Sequence, residues 1–450
     1  MTLRRFIAVK LLLPLLALSA CSSQSEERVV VIGAGIAGLS AARALHNAGY
    51  DVTVLEARDR VGGRIQTDTS LGIPLDMGAS WIHGITKDPV YQLAQNQGFA
   101  LSGPTDYDNG EVYSAKGSPD AFPEALFERL DTLLAREARA GARAKSTESV
   151  AEVVSRREAE GELEGLRYSP RQLNFLLNTF IEHEYAGPVD KISIQQLWEG
   201  EAVRGGDYVF PGGYAQVTDF LARGLDVRLN TVVNAVNYGD NGVQVQTSAG
   251  DFAADRAVVT LPIGVLRARS VDFEPRLPKS KRKAIRRLGS GTLNKTWLVF
   301  PEPFWDTSQE VINYVGARNG RFTEFYYFKE IGEGNVLLGF NAGNYGVKVE
   351  KRSDEAIVEE AMSVLRAIYG PDIPAPTKVV QSRWRSDPYA LGAYSYMKAG
   401  AQLRDRERLR APVSDRLFFA GEATSADYPS TTEGALRTGL KAAREIQALP

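Results

Sequence analysis

A chain of 450 residues has room for two or three domains and a large buried core. Its 44% hydrophobic and 24% charged composition excludes collagen-like, low-complexity and wholly disordered chains, and a net charge of −2 lacks the basic excess of a nucleic-acid binder. A single cysteine excludes an intrachain disulfide and a cysteine-based metal centre, and three histidines far apart (His46, His83, His183) have no ligand-like spacing, so no metal is expected.

Residues 1–20 read as an export signal. Arg4, Arg5 and Lys10 precede the apolar run Leu11–Ala20, which is too short to cross a bilayer and suits the h-region of a signal peptide. The run ends Leu18-Ser19-Ala20-Cys21, resembling a bacterial lipobox, in which the sole cysteine becomes the acylated first residue of the mature chain. More than one acyl chain gives stable anchoring where one is marginal. Residues 21–27 then form a short tether. With Ser22 following the cysteine, the expected location is the periplasmic face of a bacterial cell envelope, at the outer membrane. Cleavage removes three positive charges and no negative ones, moving the chain from −2 to −5. Arg4-Arg5 leaves both general secretory and twin-arginine export open.

A buried parallel strand is predicted at Arg28–Ile32, followed at once by Gly33-Ala34-Gly35-Ile36-Ala37-Gly38 and a helix over Leu39–Ala48 that stops at Gly49. A second strand, Asp51–Leu55, ends in Glu56. This context turns a weak glycine pattern into a dinucleotide site. Gly33 makes the tight turn, Gly35 admits the pyrophosphate and Gly38 lets helix meet strand. The helix N-terminus stabilises phosphate charge, and Glu56 accepts from ribose hydroxyls while repelling the 2′-phosphate of NADP. The nearest imitation, Gly332-Glu333-Gly334, lacks the third glycine and the helix. With no second dinucleotide site for NAD(P)H, the electrons are expected to come from an organic substrate.

Further along, Glu124–Arg143 and Glu148–Glu164 read as exposed helices. Val227–Tyr238 and Gly242–Thr247 read as strands of a hairpin-like unit turning at Gly239–Gly242. The run Leu293–Phe300 alternates like a strand and puts Lys295 on one face with Leu293, Trp297 and Val299. A lysine on an apolar face either snorkels or lines a wet pocket.

With the fingerprint, Ala57-Arg58-Asp59-Arg60-Val61-Gly62-Gly63-Arg64-Ile65 resembles the flavin-containing amine oxidases, a superfamily that includes monoamine oxidases, amino-acid oxidases and lysine-specific histone demethylases. Asp76-Met77-Gly78-Ala79-Ser80-Trp81-Ile82-His83-Gly84 is most similar to the polyamine oxidase branch. Leu261–Leu266 resembles a family hinge, Leu417–Thr424 the closing FAD strand, and Thr431–Ala435 the start of the last helix, whose N-terminal end faces the flavin pyrimidine. The resemblance covers nearly everything after residue 28. It implies an α/β fold: a Rossmann-like FAD-binding domain (28–85, 206–290 and 402–450) interleaved with an α+β substrate-binding domain (86–205 and 291–401).

The resemblance also implies roles. Non-covalent FAD would be held by Gly33, Gly35, Gly38, Glu56, Arg58, Gly63, Arg64, Val233, Trp384, Gly421, Glu422, Thr431 and Thr432, the only cysteine being too far upstream for a cysteinyl link. Lys295 would hold a water against flavin N5, Tyr396 would wall the amine pocket, and His83 and Glu182 would serve substrate. Thr431 replaces a second aromatic found in many relatives, which leaves room for a longer or bulkier amine. The implied reaction is oxidation of a C–N bond by hydride transfer to flavin N5, then imine hydrolysis, with O2 reduced to H2O2. A polyamine, or another primary or secondary amine, is the expected substrate. An L-amino-acid oxidase of the same fold is the alternative enzyme, and a non-catalytic flavin-binding envelope protein the alternative outside catalysis.

Overall fold

The β-branched run Val29–Ile32 has no polar side chain to offer solvent, and it becomes the central strand of a five-stranded parallel sheet. The computed structural model describes residues 27–201 and 203–450; the export segment and Cys21 lie outside them. In spatial order the strands are Leu417–Phe419, Arg256–Val259, Arg28–Ile32, Asp51–Leu55 and Asp226–Arg228. Val29, Val31, Val52 and Val54 face the helices Ile36–Asn47 and Thr432–Gln447. Val30, Ile32, Leu55 and Val259 face a four-stranded sheet ordered Gly250–Ala254, Gly242–Thr247, Val233–Gly239, Asp272–Glu274. All the parallel strands therefore end at one edge, where open α/β sheets bind ligands.

Three elements differ from expectation. The run Val227–Tyr238 is not one strand. It breaks where Asn230 adopts φ +53°, so Asp226–Arg228 completes the parallel sheet and Val233–Gly239 enters the hairpin. The segment 148–164 forms a helix only over Val150–Ala159, closed at its start by a Ser149–Glu152 capping box. The helix Glu124–Ala144 buries Leu126, Leu130, Leu133, Leu134 and Ala138 on one stripe and is not exposed all round.

A six-stranded sheet carries the second half of the molecule: Lys378–Gln381, Leu293–Val299, Val336–Ala342, Glu324–Tyr327, Val311–Val315 and Gly110–Ser114. One face packs Leu298, Leu337, Phe325 and Tyr327 against the helix Asp354–Tyr369. The other presents Trp297, Leu338, Tyr326 and Phe340 to Met77, Trp81 and Trp384. Among the described residues no helix is long and apolar enough to cross a membrane.

Candidate active site

The glycines divide by what a Cβ would meet. At Gly38 it would lie 1.9 Å from the Gly33 carbonyl oxygen, so close helix–strand packing requires glycine there. Gly33 holds φ +104°. Among the described residues beyond the chain neighbours, a Cβ at Gly35 would meet only the Gly62 oxygen, at 3.9 Å, and one at Gly421 only the Thr260 oxygen, at 4.0 Å. These positions, with Gly63 at φ +60°, leave a bare backbone cradle that side chains would fill, at the mouth of the strands and the N-terminus of the helix Ile36–Asn47.

Carboxylates and guanidinium groups line the cradle. Glu56 is buried and accepts from the Ala34 and Arg58 amides at 2.8 and 2.9 Å. Its carbonyl accepts from Thr231, which holds buried Val233 two residues away. Arg58 bonds Asp387 at 2.7 Å. Arg64 donates to Glu422 and to the Ala393 carbonyl, each at 2.8 Å. Burial would raise the Glu422 pKa, but Arg64, Arg406 and the Ser395 hydroxyl overcome it and hold the carboxyl below its ordinary value. Thr431 caps the last helix by accepting from the Gly434 amide, and the Thr432 hydroxyl meets that of Tyr214 at 2.5 Å. Bare glycines, a helix N-terminus, and acids and arginines beside them fit the diphosphate, ribose and ribityl groups of FAD.

Lys295 is buried, as its strand face predicts. Its ammonium donates to the Ser80 hydroxyl and to the Asp76 carbonyl, and stands 5.4 Å from the Trp81 ring centre. Burial pulls its pKa down to about 7, against a smaller opposing pull from Asp76, whose own carboxyl burial raises to about 6. Trp384 bonds the Met77 carbonyl from the same cluster. Trp81, Tyr326 and Phe340 form an aromatic wall with centroid separations of 5.1 to 6.0 Å. His83 stands at its rim with 45% of its side chain exposed, bonded to Asp207 at 2.7 Å. Burial lowers the imidazole pKa, and Asp207 more than offsets this, so the net shift is upward. Tyr107 donates to the same carboxylate.

The family model for flavin-containing amine oxidoreductases matches residues 36–447. The chain belongs to this family. This amine oxidoreductase is 37% identical over 440 residues to polyamine oxidase 3 of Oryza sativa subsp. japonica, an alignment spanning 93% of this chain and 88% of that one. It is 35% identical to lysine-specific histone demethylase 1 homolog 2 of the same plant, over 93% of this chain and 56% of the relative. The fold is similar to that of a putrescine oxidase solved with putrescine: TM-score 0.77 at 23% identity, covering 94% and 99% of the two chains. The enzyme is an FAD-dependent amine oxidase.

Two side chains expected in the amine oxidase pocket sit elsewhere. Tyr396 lies in the apolar core of the helical region, its ring filling the slots left by Gly187 and Gly289, where added Cβ atoms would come within 3.0 and 2.3 Å of it. Tyr394, two residues earlier, is partly exposed, donates to the His183 carbonyl at 2.6 Å, and has Glu184, Glu422 and Tyr185 near its hydroxyl. Glu182 is buried and structural, accepting from Asn178 at 2.7 Å and from the Val189 amide at 3.1 Å. The exposed carboxylate is Glu184, amid His83, Tyr107, Tyr326 and Tyr394. A π-helical turn, Asn178–His183, shifts the helix phase and separates the two acids, an irregularity frequent at functional sites. The sequence holds no plain signal for it. Ser80 and Asp76, which hold Lys295, lie in a motif that the sequence does reveal.

Proposed function

We propose that the enzyme oxidises a polyamine, and that Glu184 within the aromatic wall is the group that selects it. A carboxylate surrounded by Trp81, Tyr107, Tyr326 and Tyr394 offers charge pairing and cation–π contact to an ammonium remote from the reacting carbon. A monoamine has no such group to place there. The relatives named for polyamine oxidation support the same reading.

The reaction converts an amine C–N bond to an imine, which water hydrolyses to aldehyde and amine, with O2 reduced to H2O2. FAD, when bound, supplies the two-electron acceptor. The protein's part is placement and control of charge. Gly33, Gly35, Gly38 and Gly63 form the cradle. Glu56, Arg58, Val233 and Trp384 frame the nucleotide and ring ends, and Arg64, Gly421, Glu422, Thr431 and Thr432 the ribityl and pyrimidine side. Lys295 holds a water in the buried pocket. Its depressed pKa keeps a fraction of it neutral near pH 7, which lowers repulsion of a cationic substrate. At the rim His83 is bonded to Asp207, whose carboxylate raises the imidazole pKa. Tyr394 takes the aromatic role expected of Tyr396.

The FAD-binding domain is assigned to 28–85, 206–290 and 402–450, and the substrate domain to 86–205 and 291–401. The mature chain is assigned to the periplasmic face of a bacterial envelope, anchored by acylated Cys21; labelling with a fatty-acid analogue, lost in Cys21→Ser, tests that. The substrate test is anaerobic stopped-flow absorbance with spermidine, spermine, putrescine, butylamine and several L-amino acids. Rapid bleaching by polyamines, with Glu184→Gln weakening their apparent affinity at least tenfold and leaving butylamine unchanged, is expected. Bleaching by amino acids alone overturns the assignment.

A further inference from the structure

A charged face remains that the reaction does not use. The helix Lys279–Arg287 carries six lysines and arginines in nine residues. Its inner side is Lys281, Ala284 and Ile285, with the Lys281 ammonium over the Phe419 ring and donating to the Leu409 and Ala411 carbonyls. Lys279, Arg282, Lys283 and Arg286, at i, i+3, i+4 and i+7, therefore share the outer side, and all four are exposed. Arg267, Arg269 and Arg276, in the segment before the helix, are exposed as well. Arg267 donates to the Arg286 carbonyl at 3.0 Å and Lys398 does so at 3.2 Å, which carries the cluster past the end of the helix. Burial, then the charges of Arg267 and Lys191, lower the Lys398 pKa.

Local structure does not account for this charge. The helix opens with Lys279, Lys281 and Arg282 and has no acid in its first turn, where the helix dipole disfavours cations. Lys279–Lys283 and Arg282–Arg286 are like-charged pairs four residues apart, which oppose helix formation. Among the described residues none of the seven exposed cations is in an ion pair, whereas Arg136, Arg156 and Arg157 in the helical region each pair with at least two glutamates. The segment 267–287 holds nine lysines and arginines against two acids, Asp272 and Glu274, in a chain of net charge −2. An amine substrate is itself a cation, so this face takes no part in drawing it in. Nor has it the apolar centre of a protein interface: among the described residues, no large exposed hydrophobic side chain falls within 267–287.

We propose that the face of Lys279, Arg282, Lys283 and Arg286, extended by Arg267 and Arg269, docks on an anionic phospholipid surface. Diffuse headgroup phosphates suit a row of unpaired cations, each of which adds to the attraction close to the bilayer. The position of the chain's N-terminal end supports this partner. Lys281 ties the start of the helix to the turn after Leu409, which runs through Val413 into the strand Leu417–Phe419. That strand is parallel to Arg28–Ile32, with Arg256–Val259 between them. Residue 27 therefore leaves the sheet on the edge where the turn lies, about 10 Å across it. The seven residues 21–27 reach at most about 25 Å, which keeps this edge close to a membrane that holds Cys21. The docking itself needs no acyl chain.

The test sediments the FAD-loaded enzyme from Ser22 on, which carries no acyl chain, with vesicles of phosphatidylcholine alone or with about 30% phosphatidylglycerol. Binding to the anionic vesicles at least tenfold tighter than to the neutral ones, and weakened by added salt, is expected. Lys279→Gln/Arg282→Gln/Lys283→Gln/Arg286→Gln loses at least tenfold of that binding and keeps its FAD content, Tm and turnover of soluble amine. Lys116→Gln/Arg143→Gln/Lys145→Gln/Lys329→Gln removes as many exposed charges elsewhere and binds like the wild type. Should the first variant fail to retain FAD, Lys283→Gln/Arg286→Gln takes its place, with a several-fold loss. Equal binding to both kinds of vesicle, or equal losses in the two fourfold variants, overturns the proposal. Tighter binding to a DNA oligonucleotide than to anionic vesicles assigns the face to nucleic acid and overturns it too. Failure of fatty-acid labelling at Cys21 removes the anchor and leaves these results standing, so the two assignments are tested apart.

Discussion

Arg406 and Glu199 form a salt bridge whose side chains are 0% and 2% exposed, and Arg406→Met tests what that pair does. The guanidinium holds both Glu199 oxygens at 2.7 and 2.9 Å and donates to the Ser395 hydroxyl at 2.6 Å. Ser395 in turn donates to Glu422 at 2.5 Å. Methionine fills the space but leaves Glu199 a buried carboxylate whose remaining side-chain donor is Gln196 at 2.8 Å. Removing one partner of such a pair costs about 3–5 kcal/mol, chiefly the desolvation of the stranded charge. For a cooperative unit of some 200 residues this is a loss of about 10 °C in Tm. Because Ser395 links Arg406 to Glu422, FAD should also dissociate more readily. The double variant Arg406→Met/Glu199→Leu should regain most of the stability, since an apolar pair carries no uncompensated charge, but not the FAD affinity. Differential scanning fluorimetry of apo and FAD-loaded protein, with flavin fluorescence for release, reads both quantities. An Arg406→Met protein within about 1 kcal/mol of wild type, holding FAD equally well, would refute the reasoning.

Gly35→Ala should leave the apoprotein's Tm unchanged while FAD affinity falls at least tenfold, whereas Gly38→Ala should destabilise the apoprotein itself, because its Cβ meets the Gly33 carbonyl at 1.9 Å; scanning fluorimetry and flavin titration separate the two. Tyr394→Phe should raise the apparent dissociation constant for polyamine several-fold, while Tyr396→Phe should leave kinetics within twofold of wild type; steady-state assays decide, and the reverse order would return Tyr396 to the pocket. Burial lowers the Lys281 and Lys295 pKa values from 10.5 to about 7, so between pH 7 and 10.5 the unfolded chain binds more protons than the native one and both lysines make stability rise with pH. Urea midpoints should climb from pH 7 to 9.5, less steeply in Lys281→Met; an unchanged slope in that variant would show that Lys281 titrates normally.

The sequence by itself determined the parts whose chemistry is local in the chain. Strand, glycine turn, helix and Glu56 lie within thirty residues, and each glycine there answers to a backbone conformation or a close approach that its neighbours dictate. The alternation around Lys295 likewise placed its face, since a pleat has a period of two whatever lies across the sheet. Tertiary structure alone decided which of the neighbouring acids and rings are buried and which stay open to solvent. Glu182 and Glu184 are two residues apart, and a π-turn whose stability depends on packing buries one against Asn178 and leaves the other exposed. Tyr394 and Tyr396 differ because Gly187 and Gly289, both more than 100 residues away in sequence, open a slot for one ring only. The row from Lys295 through Phe340 to Glu324 exists only in the strand register. Local patterns fix backbone conformation and face, whereas occupancy of a pocket is settled by competition for space and hydrogen bonds between segments that meet only on folding.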